Sequence, residues 1–174
     1  GVVDGWMNEH FQSVLEMKPE GIHIQQFMPW NVRDDEIESN PLATYGDIAE
    51  LLGAKDYHLP DGERIVWLYW RAIGKSDVPL KVFVHLEGTA YPTREHIMAS
   101  QDDQFPQNGR IGTDSWLTRT VYRDVYNLPA SPSPLSYYTI SVGMYDEGSG
   151  SRLLTETGDD HFDVVDALVM ILPR

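Results

Sequence analysis

With 27 Asp and Glu, six His and no Cys, this 174-residue chain has a narrow chemical repertoire. The missing thiol excludes cysteine nucleophiles, disulfides and thiolate zinc sites. Two acidic clusters are conspicuous. Asp102-Asp103 with Asp114 forms one, and Glu156, Asp159, Asp160, Asp163 and Asp166 form the other. Clustered oxygen donors on loops suit Ca²⁺, the metal to expect if one binds at all, though no EF-hand spacing occurs. The plainer reading is solvated acidic loops and no cofactor. Paired carboxylates also serve glycoside hydrolysis, but a chain with so many acids offers such pairs by composition alone. The histidines show neither a His-Glu-x-x-His nor a His-x-His arrangement, and His85, between Val84 and Leu86, reads as a hydrogen-bonded strand residue. There is no Gly-x-Ser-x-Gly elbow and no phosphate loop, and Gly109-Arg110-Ile111-Gly112 is too short a signal for a nucleotide.

Rings mixed with acceptors are the more promising pattern. Between residues 88 and 116, Tyr91, Asp102, Asp103, Phe105, Asp114 and Trp116 combine both types. Sugars stack C–H faces on rings and donate hydroxyls to carboxylates, so these six are the candidate ligand-binding residues. The competing reading makes Trp116 a plug at the end of a core. A second aromatic row, Trp67 and Tyr69, lies on one face of an apolar strand. It is either a stacking platform or covered by the N-terminal segment.

Charge narrows the partners. A formal net charge of −14 argues against nucleic acid and against docking on anionic lipid. The longest apolar run, Ala167 to Pro173, is far short of the roughly 20 residues that span a bilayer. No basic stretch followed by an apolar run opens the chain, so no signal peptide is expected. Acidity is uneven: residues 1–56 carry 11 acidic and 3 basic side chains, residues 57–174 carry 16 and 10. The chain therefore divides into an N-terminal extension, 1–42, packed on a domain spanning 43–174.

The elements that would position these residues are mostly strands. Met7, Phe11, Val14, Leu15 and Lys18 follow helical spacing, which predicts a short N-terminal helix over about residues 5–18. Gly21 to Trp30 reads as a strand. Beyond Tyr45 the chain alternates β-formers with Gly/Pro turns. Ile65 to Ala72, Lys81 to Glu87 and Tyr137 to Tyr145 are the strongest strands, and Ala167 to Leu172 closes the set. On the last long strand, Tyr138, Ile140, Val142 and Met144 face one way and Thr139, Ser141 and Gly143 the other. Gly88 to Ser115 reads as a long polar loop or irregular hairpin. The expected fold is an all-β antiparallel sandwich, jelly-roll or immunoglobulin-like, of about seven to nine strands.

A series of motifs runs through this domain in order: Ala43-Thr44-Tyr45-Gly46-Asp47, Leu59-Pro60-Asp61-Gly62-Glu63, Leu68-Tyr69-Trp70-Arg71-Ala72, Val82-Phe83-Val84-His85-Leu86, Asp103-Gln104-Phe105-Pro106, Thr113-Asp114-Ser115-Trp116 and Asp124-Val125-Tyr126. With Tyr138 to Asp146 and Arg152-Leu153, it resembles the soluble C-terminal β-sandwich domain of bacterial multi-pass membrane glycosyltransferases similar to protein mannosyltransferases. The likeness covers about two-thirds of the chain and excludes residues 1–42. It departs from that pattern after the His-Leu strand, where Glu87-Gly88-Thr89-Ala90-Tyr91-Pro92 replaces a Gly-rich turn. What it implies is a non-catalytic accessory module on the extracytoplasmic face of the membrane, part of a larger protein and joined to the membrane only through it. Glycan or another cell-envelope component would be its partner. A purely structural or protein–protein module is the alternative, and a polysaccharide hydrolase the third reading.

Overall fold

The computed structural model describes residues 11–17, 24–29, 37–164 and 168–171, with side chains over 37–164. Its elements are strands. A hairpin pairs β1 (Phe11–Met17) with β2 (Ile24–Pro29). The first sheet of the sandwich places β4 (Ala49–His58), β5 (Arg64–Ala72) and β8 (Val121–Leu128) side by side. Two short strands share the outer edge of β4. β3 (Ala43–Tyr45) runs antiparallel along its first half, and β11 (Leu168–Ile171) runs parallel along its second. The second sheet has the order β10 (Phe162–Val164), β9 (Leu135–Tyr145), β6 (Lys81–Ala90), β7 (His96–Gln104). The chain crosses between sheets after β5, β7, β8 and β10, so this is an antiparallel sandwich with β11 the parallel exception, as the turn-punctuated β pattern predicts.

Alternation in the sequence decides which face is core. Val66, Leu68 and Trp70 on β5 meet Val82, Val84 and Leu86 on β6 and Ile140, Val142 and Met144 on β9. All nine are buried, and Tyr138 packs half-buried at their edge. At roughly 1.5–3 kcal/mol per buried large side chain, this layer is the main source of stability. Trp116 closes one end of it, stacked on Tyr122 with centroids 5.1 Å apart and planes 13° off parallel. Tyr45 crosses the core and donates its hydroxyl to the Val142 carbonyl at 2.7 Å, linking the two sheets.

Side chains of β7 and β8 stitch together the edge where the two sheets come closest. Asp102 Oδ2 accepts the Asn127 amide at 2.8 Å, and Gln104 Nε2 donates to the Val125 carbonyl at 2.6 Å. Beside them the fully buried Asp124 accepts the Gln107 amide at 2.7 Å. An open sheet edge needs its main-chain groups satisfied, and these polar side chains do that here.

One expectation is corrected, and of the two readings of Gly88 to Ser115 the irregular hairpin holds. The short N-terminal helix expected over about residues 5–18 is a strand over Phe11–Met17, and the rest of that span lies outside the described residues. Phe11, Ser13, Leu15 and Met17 also fit a period of two. A partner only a short connection away satisfies the backbone as a hairpin, which outweighs the helical spacing. The long polar stretch from Gly88 to Ser115 is largely regular: it holds the end of β6, a tight turn and all of β7. β7 carries two carboxylates, a histidine and two glutamines over nine positions because one of its faces is outward and it lies at the edge of its sheet, so it lacks the usual strand composition.

Candidate functional site

The register of the second sheet assembles an outward face of unusual composition. On β6 it presents Lys81, Phe83, His85, Glu87 and Thr89. Opposite them β9 presents Tyr145, Gly143, Ser141, Thr139 and Tyr137. On the other flank, β7 contributes Asp103 and Gln101, then Met98 and His96. A bulge at Leu86/Glu87 makes this possible, because Ala99 turns inward there and the strand resumes with its polar residues outward. On the far side Asp163 of β10 sits opposite Ser141 and accepts its hydroxyl at 2.7 Å. Eight residue steps of β9 lead along this platform from Tyr137 to Tyr145, about 26 Å, and the middle of that span, at Phe83, His85 and Ser141, is buried.

Most of its polar groups hold one another in place. His85 Nε2 lies 3.1 Å from Asp103 Oδ1, and the Tyr145 hydroxyl donates to Asp103 Oδ2 at 3.3 Å. Burial and the Asp103 charge push the Tyr145 hydroxyl pKa up. His96 pairs with Glu87 at 3.2 Å. His161 Nδ1 is 2.7 Å from Asp160 Oδ1, which with the Arg152 guanidinium at 2.8 Å holds the Asp160 carboxyl below the usual range. At one end Lys81 bonds Glu147 at 2.5 Å, which raises the lysine, and its ammonium stands 5.3 Å from the Phe105 ring centre. Phe83 lies flat in the middle of the face, roofed by the Arg152 guanidinium at 4.5 Å and buried to 1% exposure. It can do so because position 143 is glycine: a Cβ there would come within 2.3 Å of the Phe83 ring.

At the opposite end the face opens. Tyr137 is 65% exposed and Met98 54%, on either side of Thr89 and Glu87. Tyr91 follows in the β6–β7 turn, also exposed, its amide bonded to the Pro134 carbonyl at 2.8 Å.

The six residues expected to bind ligand are not gathered at one point. Asp103 lies on the platform, with Phe105 beside one end and Tyr91 at the other. Asp102 points to the opposite side of β7, into the sandwich edge, where burial raises its pKa above the ordinary carboxylate value. Asp114 is exposed in the loop before Trp116, and Trp116 itself is fully buried. The residues the sequence reading passed over are Tyr137, Tyr145, Met98 and His96. Their signal was the polar side of the β9 alternation and the aromatic residues next to it.

The other aromatic row is covered. Tyr69 is fully buried, and Trp67 packs half-buried with Tyr57, Ile65 and Val125. Among the described residues no group of three or more His, Asp or Glu is placed to hold a metal, and no helix is long and apolar enough to cross a membrane. Of the second acidic cluster, Glu156 accepts the Thr44 amide and Asp159 the Thr157 hydroxyl, while Asp166 lies outside the described residues. The carboxyls with raised pKa, Asp102 and Asp124, sit in the sandwich edge bonded to main chain, not facing each other across a groove. The chain matches no known protein family, no curated protein and no solved structure.

Proposed function

We propose that this chain is a non-catalytic accessory module of a membrane glycosyltransferase, held outside the cytoplasm, and that it binds glycan weakly on the outward face of its second sheet. One observation carries the reading: the exposed Tyr137 ring stands at the open end of a sheet face that carries hydroxyls, carboxylates and imidazoles. Such a face offers an extended sugar chain a ring to stack on and fixed partners for its hydroxyls. The acids on the face are bound to neighbouring side chains, which fits recognition rather than acid–base catalysis. Calorimetric titration of the chain with neutral and amino-sugar oligosaccharides tests the proposal. Heat that disappears in Tyr137→Ala supports it. No heat with any oligosaccharide overturns it.

A protein–protein role is the second reading, favoured by one feature. Met98, Tyr137 and Tyr91 lie near one another as exposed apolar groups at the β6–β7 turn end. Under that reading Met98→Asp abolishes capture of a protein partner, while no sugar binds.

A further inference from the structure

A separate cleft opens at one end of the sandwich, where the β4–β5 turn meets the β8–β9 connector. Its volume is about 360 Å³, within the range of small-molecule sites. Its lining mixes apolar side chains, Leu86, Pro134 and Leu135, with polar ones, Asp61, Arg64 and Ser131. Arg64 is fixed from behind. Its guanidinium lies 4.0 Å from the centre of the Tyr138 ring, which also lines the cleft, and it bonds Oδ2 of Asp56. Asp56 is fully buried, with His58 Nε2 also 2.9 Å from Oδ2, while its Oδ1 has no hydrogen-bond partner.

These features select a ligand. Asp56 already answers the Arg64 charge, and Asp61 adds a carboxylate at the rim, so the cleft carries no surplus positive charge to draw an anion. A lining that mixes apolar and polar groups suits a ring with a C–H face and a hydroxyl edge. We infer that this cleft binds a single hexopyranose unit, its C–H face on Leu86, Pro134 and Leu135 and its hydroxyls on Arg64, Asp61 and Ser131. The site is distinct from the platform on the second sheet, and its ligand is one sugar ring rather than a chain.

The test is a ¹H–¹⁵N NMR titration of the full chain with glucose, mannose, galactose, N-acetylglucosamine and glucosamine. With at least one of them, amide shifts are expected at Gly62, Arg64, Ser131 and Leu135, with a dissociation constant on the order of 1–10 mM. Ala130→Trp is the matched variant, because Ala130 is exposed and lines the cleft, so a larger side chain there takes up its volume while Arg64 and Asp56 are left unsubstituted. Loss of those shifts in Ala130→Trp, with the melting temperature unchanged, supports the inference. No shift with any of the five sugars overturns it, as do shifts that persist in Ala130→Trp. Shifts confined to Tyr137, Met98 and their neighbours overturn the cleft site while leaving the platform reading intact.

Discussion

Asp124 shows how much one buried side chain can set the pH response of a domain. Burial pushes its carboxyl pKa up to about 7, against which the Gln107 amide and the Tyr126 hydroxyl act only in part. A carboxyl raised in the folded state stabilises most below its unfolded value, and that contribution is lost as pH rises through about 7. Stability should therefore rise on acidification from neutral pH toward about 4, by up to roughly 1.4 kcal/mol per pH unit. Asp124→Asn retains an acceptor but does not titrate, so denaturant melts across pH should show this slope in the native chain and its loss in the variant. Equal slopes would contradict the assignment. Trp116 makes the second test at this scale. Because the ring is wholly enclosed and stacked on Tyr122, Trp116→Ala should cost about 3–5 kcal/mol by calorimetry, as a core Trp truncation does. A melting temperature within a degree of the parent would show the ring to be dispensable. The sequence allows either reading of Trp116, because a Trp at a strand approach serves a core and a ligand equally well. Asp102 and Asp103 were harder to separate. Once β7 is recognised as a strand, alternation sends one to the sandwich edge and the other to the outward face.

Elements were legible where composition and periodicity agreed. β5, β6 and β9 are apolar on the inward positions, and the sequence assigns their buried faces residue by residue. β7 was harder to see because an edge strand with an exposed face has little reason to carry β-branched residues, and its bulge breaks the alternation after Leu86. Only the first strand of the N-terminal hairpin departs from the sequence reading, because Phe11 to Met17 satisfies two periods at once; β2 lies within the strand read over Gly21 to Trp30. The first sheet supplies the prediction at this scale. Tyr69 is fully buried and Arg123 is 1% exposed, although both sit on the side of the sheet turned away from the core. A sheet face is this dry only when something lies on it, and the sequence reading expects the N-terminal extension, 1–42, to pack on the domain. Deleting residues 1–36 should lower the melting temperature and raise binding of an apolar dye, by uncovering Trp67, Ile65 and Val125. An unchanged melt and dye signal would mean that the extension does not contribute to the fold.

The molecule as a whole presents two sheets with different outward faces. The first turns an apolar and aromatic face away from solvent. The second turns out ion pairs, hydroxyls and rings held by the register of four strands. The fold class could be read from turn spacing and alternation, because those patterns are local. The platform could not, because it depends on which strands become neighbours across the sheet: Tyr137 meets Thr89 and Met98 meets Glu87 only through long-range pairing. The central claim is that this platform, and Tyr137 above all, is where glycan binds. It is tested most directly by calorimetric titration with a panel of neutral and amino-sugar oligosaccharides, run on the native chain and on Tyr137→Ala. Tyr137 is exposed and makes no core contact, so the variant should melt within a degree or two of the native chain, as surface substitutions do. The account predicts saturable heat with at least one oligosaccharide, weakened at least tenfold in the variant, about 1.4 kcal/mol for a lost ring stack. Equal affinity in the two proteins, or no heat from either, would contradict it.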